Sequence, residues 1–473
     1  MSDILDLDAL EQAALVEKGE IGVEELMRLT LDRINAVNGD VNAIVSLRDE
    51  DDILAEARAA DNGARSGWMH GLPLAVKDLS NAKGLPTSMG SPIFEGQVAE
   101  ADDIMVERMR AAGAIIIGKT NTPEFGLGSH TFNPVHGATH NPYDLGRSAG
   151  GSSGGAAAAL ACRMLPVADG SDMMGSLRNP AAWNNVYGFR PSWARVPSEA
   201  IGDNFLHQLS TAGPMGRSPR DVAALLDVQS GPDARQPHGF TAPPTLPEID
   251  KPTGALRIGW LGDWDGAYPM EEGLLEQCAS ALPVLETLGA KVEAVAAPFD
   301  AAQIWESWIT LRSWTVAGGS AALYENAKTR DMLKPEAVWE IERGLNLSAM
   351  DVHRASVLRS NWFKRAAELF ETYDALILPS SQVWPFPVEW RSPETVAGVA
   401  MDTYHRWMEI VIPIGLLGLP CLNLPVGFGA NGLPAGVQLF GPRGSDARLL
   451  QVGQLWHEAT QFTKTRPEII GSA

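Results

Sequence analysis

Three short segments of the chain combine a basic or nucleophilic side chain with turn-forming residues. The first is an apolar run that ends in Lys77. A lysine at the end of a buried strand loses solvation, which lowers its pKa toward that of a usable base. The other two segments, residues 148–156 and 169–180, place Ser152 and Ser176 among glycines that permit unusual backbone angles. Such turns can present a nucleophilic hydroxyl beside backbone N–H groups that would form an oxyanion hole.

Each of these segments also fits an ordinary structural role. Lys77 suits a surface position at a strand end, and the glycine-serine runs suit plain turns. Taken alone, the residues therefore leave two alternatives open, a hydrolase that uses serine and lysine or a set of structural turns.

A phosphate-binding pattern lies between the first two segments. Gly113–Thr120 matches G-x-x-x-x-G-K-T. Three of the four variable positions are isoleucines, which are stiff and favour strands, whereas a phosphate loop needs flexible backbone around the anion. The segment therefore predicts a strand and no nucleotide site.

A nucleophile-elbow pattern, G-x-S-x-G, occupies residues 150–154. With Asp374 or Asp402 and His405 or His457 downstream, the chain order suits an α/β-hydrolase-type esterase. The elbow has to follow a buried strand, however, and the preceding NPYDLGRSA is polar and turn-rich. The esterase is thus a disfavoured alternative function.

Neither the histidines nor the cysteines predict a metal site or a disulfide framework. The closely spaced histidines lie in a segment with glycine and proline, which indicates a loop of satisfied side chains; they are His130, His136 and His140. The cysteines are few, odd in number and without a Cys-x-x-Cys pair; they are Cys162, Cys278 and Cys421. We predict no metal and no organic cofactor.

Alternating apolar strands and helices predict the scaffold that positions these groups. Buried strands are predicted at 72–76, 114–117, 256–261, 291–295 and 375–379, with helices across 8–38, 105–113 and 270–288. The pattern indicates an α/β protein with a single large mixed β-sheet flanked by helices on both faces.

We expect one domain over residues 1–473, with a helical region over 1–65. The proline-rich stretch 231–252 reads as a surface crossing loop, because the strand pattern resumes after it. Residues 300–410 are more helical and hold eight of the 14 tryptophans, which indicates either core or an apolar lining on the substrate side. Residues 410–429 are apolar enough to suggest a membrane span, but three prolines and four glycines favour a buried strand and turn.

The charge excludes several classes of partner. The formal net charge is −21 and the pI is near 4.8, without a run of basic residues, which disfavours nucleic acid and anionic membranes. The acidic first fifteen residues lack a signal-peptide pattern, and the cysteine usage fits a reducing cytoplasm. We therefore expect a cytoplasmic monomer or homodimer that acts on a small molecule.

Considered together, the segments resemble those of the amidase signature family. The matching blocks are GxPxAVKD at 71–78, GGSSGG at 150–155 and a variant of GTDxGGSxRxPA at 170–181. Further family-like segments lie at 118–125, 210–215 and 432–438, the last followed by Gly441 and Pro442. The resemblance runs from about residue 8 to about residue 460. It implies the amidase signature fold, hydrolysis of carboxylic amide C–N bonds, no cofactor and a small-molecule amide substrate.

The resemblance also implies roles for single residues. Ser176 would be the nucleophile, Ser152 the bridging serine after a cis Gly151–Ser152 peptide bond, and Lys77 the base. The backbone N–H groups expected in the oxyanion hole are those of Met173, Met174, Gly175 and Ser176. The residues expected to support the network are Ser153, Asp172 and Arg178. We expect no carboxylate close enough to Lys77 to restore its charge, and we expect Asp78 to point to the opposite face of its strand.

Two departures from the family pattern and two rival functions remain. Met174 stands where the family has glycine, and a methionine would be strained there if the position needs a positive φ. Ser171 stands where the family has threonine. Anilides, aryl esters and carbamates (urethanes) present the same carbonyl as amides, so the substrate stays open. A glutamyl-tRNA amidotransferase A-subunit-like protein is the first rival, which the acidic charge disfavours. A catalytically dead binding protein is disfavoured because all three catalytic positions are present.

Overall fold

The computed structural model describes residues 4–199 and 202–471. Its strands are β1 (Ile44–Val45), β2 (Pro73–Lys77), β3 (Ile115–Thr120), β4 (Phe132–Asn133), β5 (Gly137–Ala138), β6 (His140–Asn141), β7 (Asp144–Ser148), β8 (Val167–Asp172), β9 (Tyr187–Arg190), β10 (Thr211–Gly216), β11 (Leu256–Trp260), β12 (Ala290–Ala294), β13 (Ala375–Pro379), β14 (Thr395–Val396), β15 (Val399–Ala400), β16 (Cys421–Phe428) and β17 (Pro434–Phe440).

The helices between these strands vary from one turn to seven. They are α1 (Ala9–Lys18), α2 (Val23–Val41), α3 (Glu50–Asp61), α4 (Ile104–Ala111), α5 (Gly154–Ala161), α6 (Arg178–Trp183), α7 (Pro219–Gln229), α8 (Leu274–Ala279), α9 (Ala281–Thr287), α10 (Ala301–Glu325), α11 (Ala327–Arg330), α12 (Pro335–Leu345), α13 (Ala349–Phe370), α14 (Ile412–Leu417) and α15 (Asp446–Thr460).

A large mixed β-sheet forms the centre of the molecule, as predicted. Its eight strands run in the order β12-β11-β13-β17-β16-β9-β10-β8. Strand β11 pairs in parallel with β12 and β13, whereas the remaining neighbours are antiparallel. The sheet is buried on both faces, because Ile377 of β13 joins one hydrophobic cluster while Leu376 and Leu378 join another. Helices α7, α8, α9 and α15 contribute to the first cluster, and α10, α13 and α14 to the second.

Two of the predicted strands belong to a smaller sheet. Strands β2 and β3 are parallel to each other, and with β1 they form a three-stranded sheet in the order β1-β3-β2. The pattern at Gly113–Thr120 is therefore a strand for most of its length, as the isoleucines predict. Strand β2 is tied to β8 through a side chain, because the Lys77 N–H donates to Asp169. This link brings the end of β2 to the edge of the large sheet.

The small helix α5 lies at the junction of the two sheets. It is composed of glycine, alanine and leucine, and all of it is buried. A Cβ atom at Gly155 would lie 2.3 Å from the backbone nitrogen of Asn121, so only glycine allows this approach to the chain after β3. The tight contact places the serines that precede α5 beside the end of β2.

The other predicted regions have the following structures. The described part of 1–65 is helical, with α1, α2 and α3 separated only by turns and β1. The stretch 231–252 is loop apart from one short 3-10 turn, Leu246–Glu248.

Residues 410–429 contain strand β16 as predicted, but the helix α14 precedes it, which was not expected from the prolines and glycines. Pro413 fits because it lies in the first turn of α14, where its missing N–H has no helical partner to lose. Within the described chain, no helix is long and apolar enough to cross a membrane.

Candidate active site

Lys77 ends β2 with a fully buried side chain surrounded by hydroxyl groups. Its ammonium nitrogen lies 2.7 Å from Ser152 Oγ, 2.8 Å from Ser153 Oγ and 3.1 Å from Ser171 Oγ. The structure thus brings together the predicted base, the predicted bridging serine and the predicted supporting serine. Ser171, which replaces the family threonine, is the third serine whose hydroxyl contacts the lysine nitrogen.

The buried environment of Lys77 favours its uncharged form, which a general base requires. Burial lowers the pKa of Lys77 to about 7, although Asp169 and Asp172 oppose part of this shift. Asp169 accepts the backbone N–H of Lys77 at 3.2 Å, but the pKa of the lysine stays near 7, so this carboxylate does not restore the charge. Burial also raises the pKa of Asp169 to about 6.

Asp78, the next residue, points away from this cluster as expected. Its carboxylate accepts a hydrogen bond from the Ser88 hydroxyl at 2.6 Å and lies 3.5 Å from Lys119 Nζ. Lys119 is the lysine of the phosphate-loop pattern, and its ammonium also donates to the Ser80 carbonyl at 2.6 Å and to the Thr87 hydroxyl at 3.0 Å. This buried lysine is a structural cross-link and does not face an open loop.

Ser152 and Ser176 both line one cavity. The Gly151–Ser152 peptide bond is cis, as the resemblance implies. Ser176 lies in the turn between β8 and α6, and the Ser153 N–H donates to its carbonyl at 3.3 Å. Among the hydrogen bonds formed in residues 4–199 and 202–471, none joins the Ser176 hydroxyl to Ser152. The Ser176 hydroxyl faces the cavity, where it can approach a substrate carbonyl.

The turn before Ser176 offers backbone donors, but one of the predicted four is engaged. The Gly175 N–H donates to Asp172 Oδ1 at 3.1 Å, so Gly175 does not supply a free donor and the predicted set is corrected. The N–H groups of Met173, Met174 and Ser176 have no hydrogen-bond partner within the described chain. Gly175 has a φ of 79°, whereas Met174 is not among the described residues with positive φ. The methionine therefore carries no strain in place of the family glycine.

A buried ion cluster holds this turn in place. Asp172 accepts from Arg178 Nε at 3.0 Å and from Arg190 Nη1 at 2.8 Å, and all three side chains are fully buried. Burial by itself would raise the pKa of Asp172, but the two guanidinium groups hold it well below its usual range. Arg178 reaches further to the Val411 carbonyl at 2.9 Å, which ties the turn to α14. The sequence predicted the roles of Asp172 and Arg178 but not that of Arg190. Its position at the end of the short strand β9, where a buried arginine needs an acidic partner, could have indicated it.

The cavity has a volume of about 240 Å³ and is walled by elements from distant parts of the chain. Helices α10 and α12 form one wall, with Arg312, Thr315, Val316, Gly319, Ser320, Ala337 and Ile341. No tryptophan lines the cavity among the described residues. Trp305, Trp308 and Trp384 are buried core side chains instead.

A second chamber of about 430 Å³ adjoins the catalytic cavity. The two share Leu79, Phe125, Gly319 and Ser320 as walls. Most of the remaining chamber walls are apolar, among them Met89, Phe94 and Val98. The combined space is wide enough for a substrate larger than a simple aliphatic amide.

The structure does not support the elbow alternative. A strand does precede Gly150–Gly154, but β7 pairs with the two-residue β6, forms one isolated bridge to Pro387 and is largely exposed. Neither ring nitrogen of His405 has a hydrogen-bond partner in the described chain, and His457 packs against Tyr187. Asp374 accepts from the backbone N–H of Arg257, and no hydrogen bond or ion pair joins it to a histidine in the described chain. No triad of this kind is assembled in the described chain.

The three loop histidines are held separately. His130 contacts the Ser148 hydroxyl at 2.6 Å, His136 contacts the Ser88 hydroxyl at 3.2 Å, and His140 contacts a backbone carbonyl at 2.6 Å. The described residues contain no group of three or more His, Cys, Asp or Glu side chains that could hold a metal ion.

Chelation is therefore expected to leave the activity unchanged. Dialysis against EDTA should preserve at least about nine-tenths of the initial rate of amide hydrolysis, because proton transfer and carbonyl polarisation use side-chain and backbone groups. Rate measurements before and after dialysis check this. A loss that zinc restores would contradict the metal-free scheme.

Met174 is expected to shape the substrate preference. Its side chain lines the cavity, so Met174→Gly enlarges the space beside the carbonyl site. The ratio of kcat/KM for a bulky and a small acyl anilide should rise by about tenfold. The exposed Met332→Gly serves as the control, and an unchanged ratio in Met174→Gly would show that the side chain does not contact the acyl group.

Comparison with known proteins identifies similar chains over nearly the full length. The family model described as Amidase matches residues 25–450. An acylamidase of Rhodococcus erythropolis is 32% identical, covering 98% of this chain and 96% of that protein. The glutamyl-tRNA(Gln) amidotransferase A-subunit of Thermus thermophilus is 34% identical over 96% of this chain and 97% of its own. The crystal structure of a bacterial aryl acylamidase of the amidase signature enzymes superposes with a TM-score of 0.90, at 26% identity and 99% coverage of both chains.

Proposed function

The chain belongs to the amidase signature family and is a hydrolase of C–N bonds, and on this basis we propose that it cleaves carboxylic amides through an acyl-enzyme on Ser176. The observation that carries the proposal is the contact of 2.7 Å between Lys77 Nζ and Ser152 Oγ at the wall of the cavity that also contains Ser176. A desolvated lysine joined to a bridging hydroxyl beside a second hydroxyl is a relay for removing a proton from a nucleophile.

Acylation begins with neutral Lys77. The lysine takes the proton of the Ser152 hydroxyl while Ser152 takes that of Ser176, and Ser176 Oγ forms a bond to the substrate carbonyl carbon. The negative charge that develops on the carbonyl oxygen is stabilised by the N–H groups of Met173, Met174 and Ser176. The proton then passes from Lys77 through Ser152 to the substrate nitrogen, the C–N bond breaks, and the amine leaves.

Deacylation repeats the relay with water. Water loses a proton through Ser152 to Lys77 and attacks the ester carbonyl of acylated Ser176. When the tetrahedral intermediate collapses, the proton returns to Ser176 Oγ and the carboxylic acid is released. The Asp172 cluster keeps the donors aimed at the carbonyl throughout, because its hydrogen bonds hold the turn from Asp172 to Arg178.

The substrate range follows from the carbonyl and the cavity. Anilides, aryl esters and carbamates place the same type of carbonyl before Ser176, so the proposal extends to them. The apolar chamber beyond Phe125 favours a substrate with a bulky apolar or aryl group. The single-domain organisation, the cytoplasmic location and the monomeric or homodimeric state remain predictions.

A panel of chromogenic substrates tests the proposal. The purified protein should hydrolyse 4-nitroanilides of acetic, butyric and benzoic acid, with the corresponding aryl esters and aryl carbamates as comparisons. Release of 4-nitroaniline should stop in Ser152→Ala, which lacks the bridging hydroxyl. Failure of the intact protein on every amide and anilide in the panel would contradict the proposal.

A component of an amidotransferase is the second candidate, favoured by the similarity to the Thermus thermophilus protein. The same serine relay would then release ammonia from glutamine for a partner chain. To distinguish the two candidates, the rates of hydrolysis of glutamine and of the anilide panel are measured with the isolated protein. Turnover of anilides without a partner favours the amidase, whereas glutaminase activity alone favours the amidotransferase component.

A further inference from the structure

Arg312 of α10 is a buried guanidinium on the wall of the catalytic cavity. Its Nε donates to Glu340 Oε1 at 2.5 Å, and its Nη2 donates to the Tyr404 hydroxyl at 2.7 Å. The Tyr404 hydroxyl in turn donates to the same Glu340 oxygen at 2.9 Å. The ring of Trp308 lies 5.0 Å from the guanidinium carbon. These contacts hold the plane of the guanidinium in one orientation.

The third nitrogen of Arg312, Nη1, has only a weak hydrogen-bond acceptor among the described residues. Nη1 lies 3.6 Å from the thioether sulfur of Met173, in the turn that precedes the nucleophile. A thioether is a weak acceptor, whereas a guanidinium N–H binds oxygen strongly. The Met173 sulfur is therefore readily replaced by a substrate oxygen that enters the cavity.

The charges around Arg312 select an uncharged oxygen. Among the described residues that line the cavity, Arg312 is the sole charged one, and Glu340 already neutralises it. His405 stands 3.7 Å from Glu340 and adds no positive charge, because burial lowers the pKa of this imidazole to about 3. A carboxylate on the substrate would leave one unbalanced negative charge close to the developing oxyanion, which is costly in a desolvated site.

We propose that Arg312 determines specificity by donating a hydrogen bond from Nη1 to a second, uncharged carbonyl oxygen of the substrate. This inference rests on the proposed amidase function and narrows its substrate class to amides, anilides or carbamates that carry another ketone, amide, ester or carbamate carbonyl. The second carbonyl lies on the α10 side of the cavity, while the scissile carbonyl lies at Ser176.

Paired substrates test the role of Arg312. On the acyl side, the 4-nitroanilides of 4-oxopentanoic and 5-oxohexanoic acid are compared with those of pentanoic and hexanoic acid. On the amine side, acetanilide with a para 3-oxobutyl chain is compared with the para butyl analogue. In the wild-type protein at least one carbonyl substrate should have a kcat/KM about tenfold above that of its methylene partner, the gain expected of one charged hydrogen bond.

Arg312→Lys should reduce this ratio to about one. Lysine keeps the positive charge beside Glu340 but lacks the planar fork that reaches Tyr404, Glu340 and the substrate together. Because both substrates are measured on the same preparation, the ratio does not depend on the fraction of folded enzyme. Val316→Ala, which changes the same wall, is the matched control and should retain the preference. If Arg312→Lys yields no active protein, the double variant R312Q/E340Q, which removes both charges, is used instead. Its ratio of kcat/KM for the carbonyl and methylene substrates should also be about one.

Three results would overturn the inference. They are a wild-type ratio near one for every pair, a tenfold preference that survives loss of the guanidinium, and faster hydrolysis of the succinic acid 4-nitroanilide, which carries a carboxylate, than of the 4-oxopentanoic one. Each of these still shows amide turnover, so the proposed function stands. Absence of turnover on all substrates would instead count against the proposed function, and the inference would fall with it.

Discussion

Ser176→Ala is expected to abolish hydrolysis, with a loss of at least about 10⁴-fold in kcat. The hydroxyl is the atom that forms the acyl-enzyme, and Ser152 cannot replace it because its oxygen is held by Lys77 at 2.7 Å. The fold should remain, since the Ser176 side chain forms no hydrogen bond in the described chain and the alanine leaves its carbonyl contact with Ser153 intact. Single-turnover rates together with thermal melting check both halves of this prediction.

Covalent labelling locates the nucleophile directly. An aryl sulfonyl fluoride or a fluorophosphonate should add to Ser176, as detected by mass spectrometry of the proteolysed protein. Ser360→Ala, an exposed serine on α13, is the control and should be labelled and active like the wild type. Labelling at Ser152 alone, or at a cysteine, would contradict the assignment.

Lys77→Ala should lower kcat/KM on the order of 10³-fold and remove the pH dependence of the reaction near neutrality. Burial lowers the pKa of Lys77 to about 7, and the relay needs the uncharged amine. The uncharged fraction grows as the pH rises through this value, so kcat/KM of the wild type should increase up to about pH 7 and be level above about pH 8. Below the pKa, the rate should fall about tenfold for each pH unit.

Lys77→Arg distinguishes the positive charge of the side chain from its ability to accept a proton. Arginine keeps a cation in the cluster but stays protonated at every accessible pH, so it should not restore activity. The exposed Lys83→Ala is the control and should retain the full profile. Near-normal rates in Lys77→Ala with an unchanged rising limb would show that another group is the base. A histidine relay with Ser152 or Ser153 as its nucleophile would then need to be reconsidered.

Local sequence predicted the elements that carry the candidate site. The isoleucines of Gly113–Thr120 favour a strand, because a β-branched side chain has few rotamers and fits the extended backbone of its own residue best. The apolar run before Lys77 predicts a buried strand end, and the glycines around Ser152 predict the sharp entry into α5. These preferences depend on neighbouring residues, so they can be recognised without the rest of the chain.

Other parts of the site arise from residues far apart in sequence. Asp169 modulates Lys77 only because β8 lies beside β2, with 92 positions of sequence between the two partners. Gly175 is engaged by Asp172 because the turn closes on that carboxylate, which the motif alone does not reveal. The third member of the ion cluster, Arg190, comes from the next strand in sequence and meets Asp172 across the end of the sheet.

The sequence by itself thus determined the strand that ends in Lys77, the two serine-bearing turns and the family of the fold. The tertiary structure decided the pKa of Lys77, which backbone donors are free, and the walls of the cavity, where Arg312 meets Met173 across 139 positions of sequence. The physical reason is that backbone preference is a property of adjacent residues. Desolvation, charge balance and cavity shape instead depend on which distant side chains the packed sheet and helices bring together.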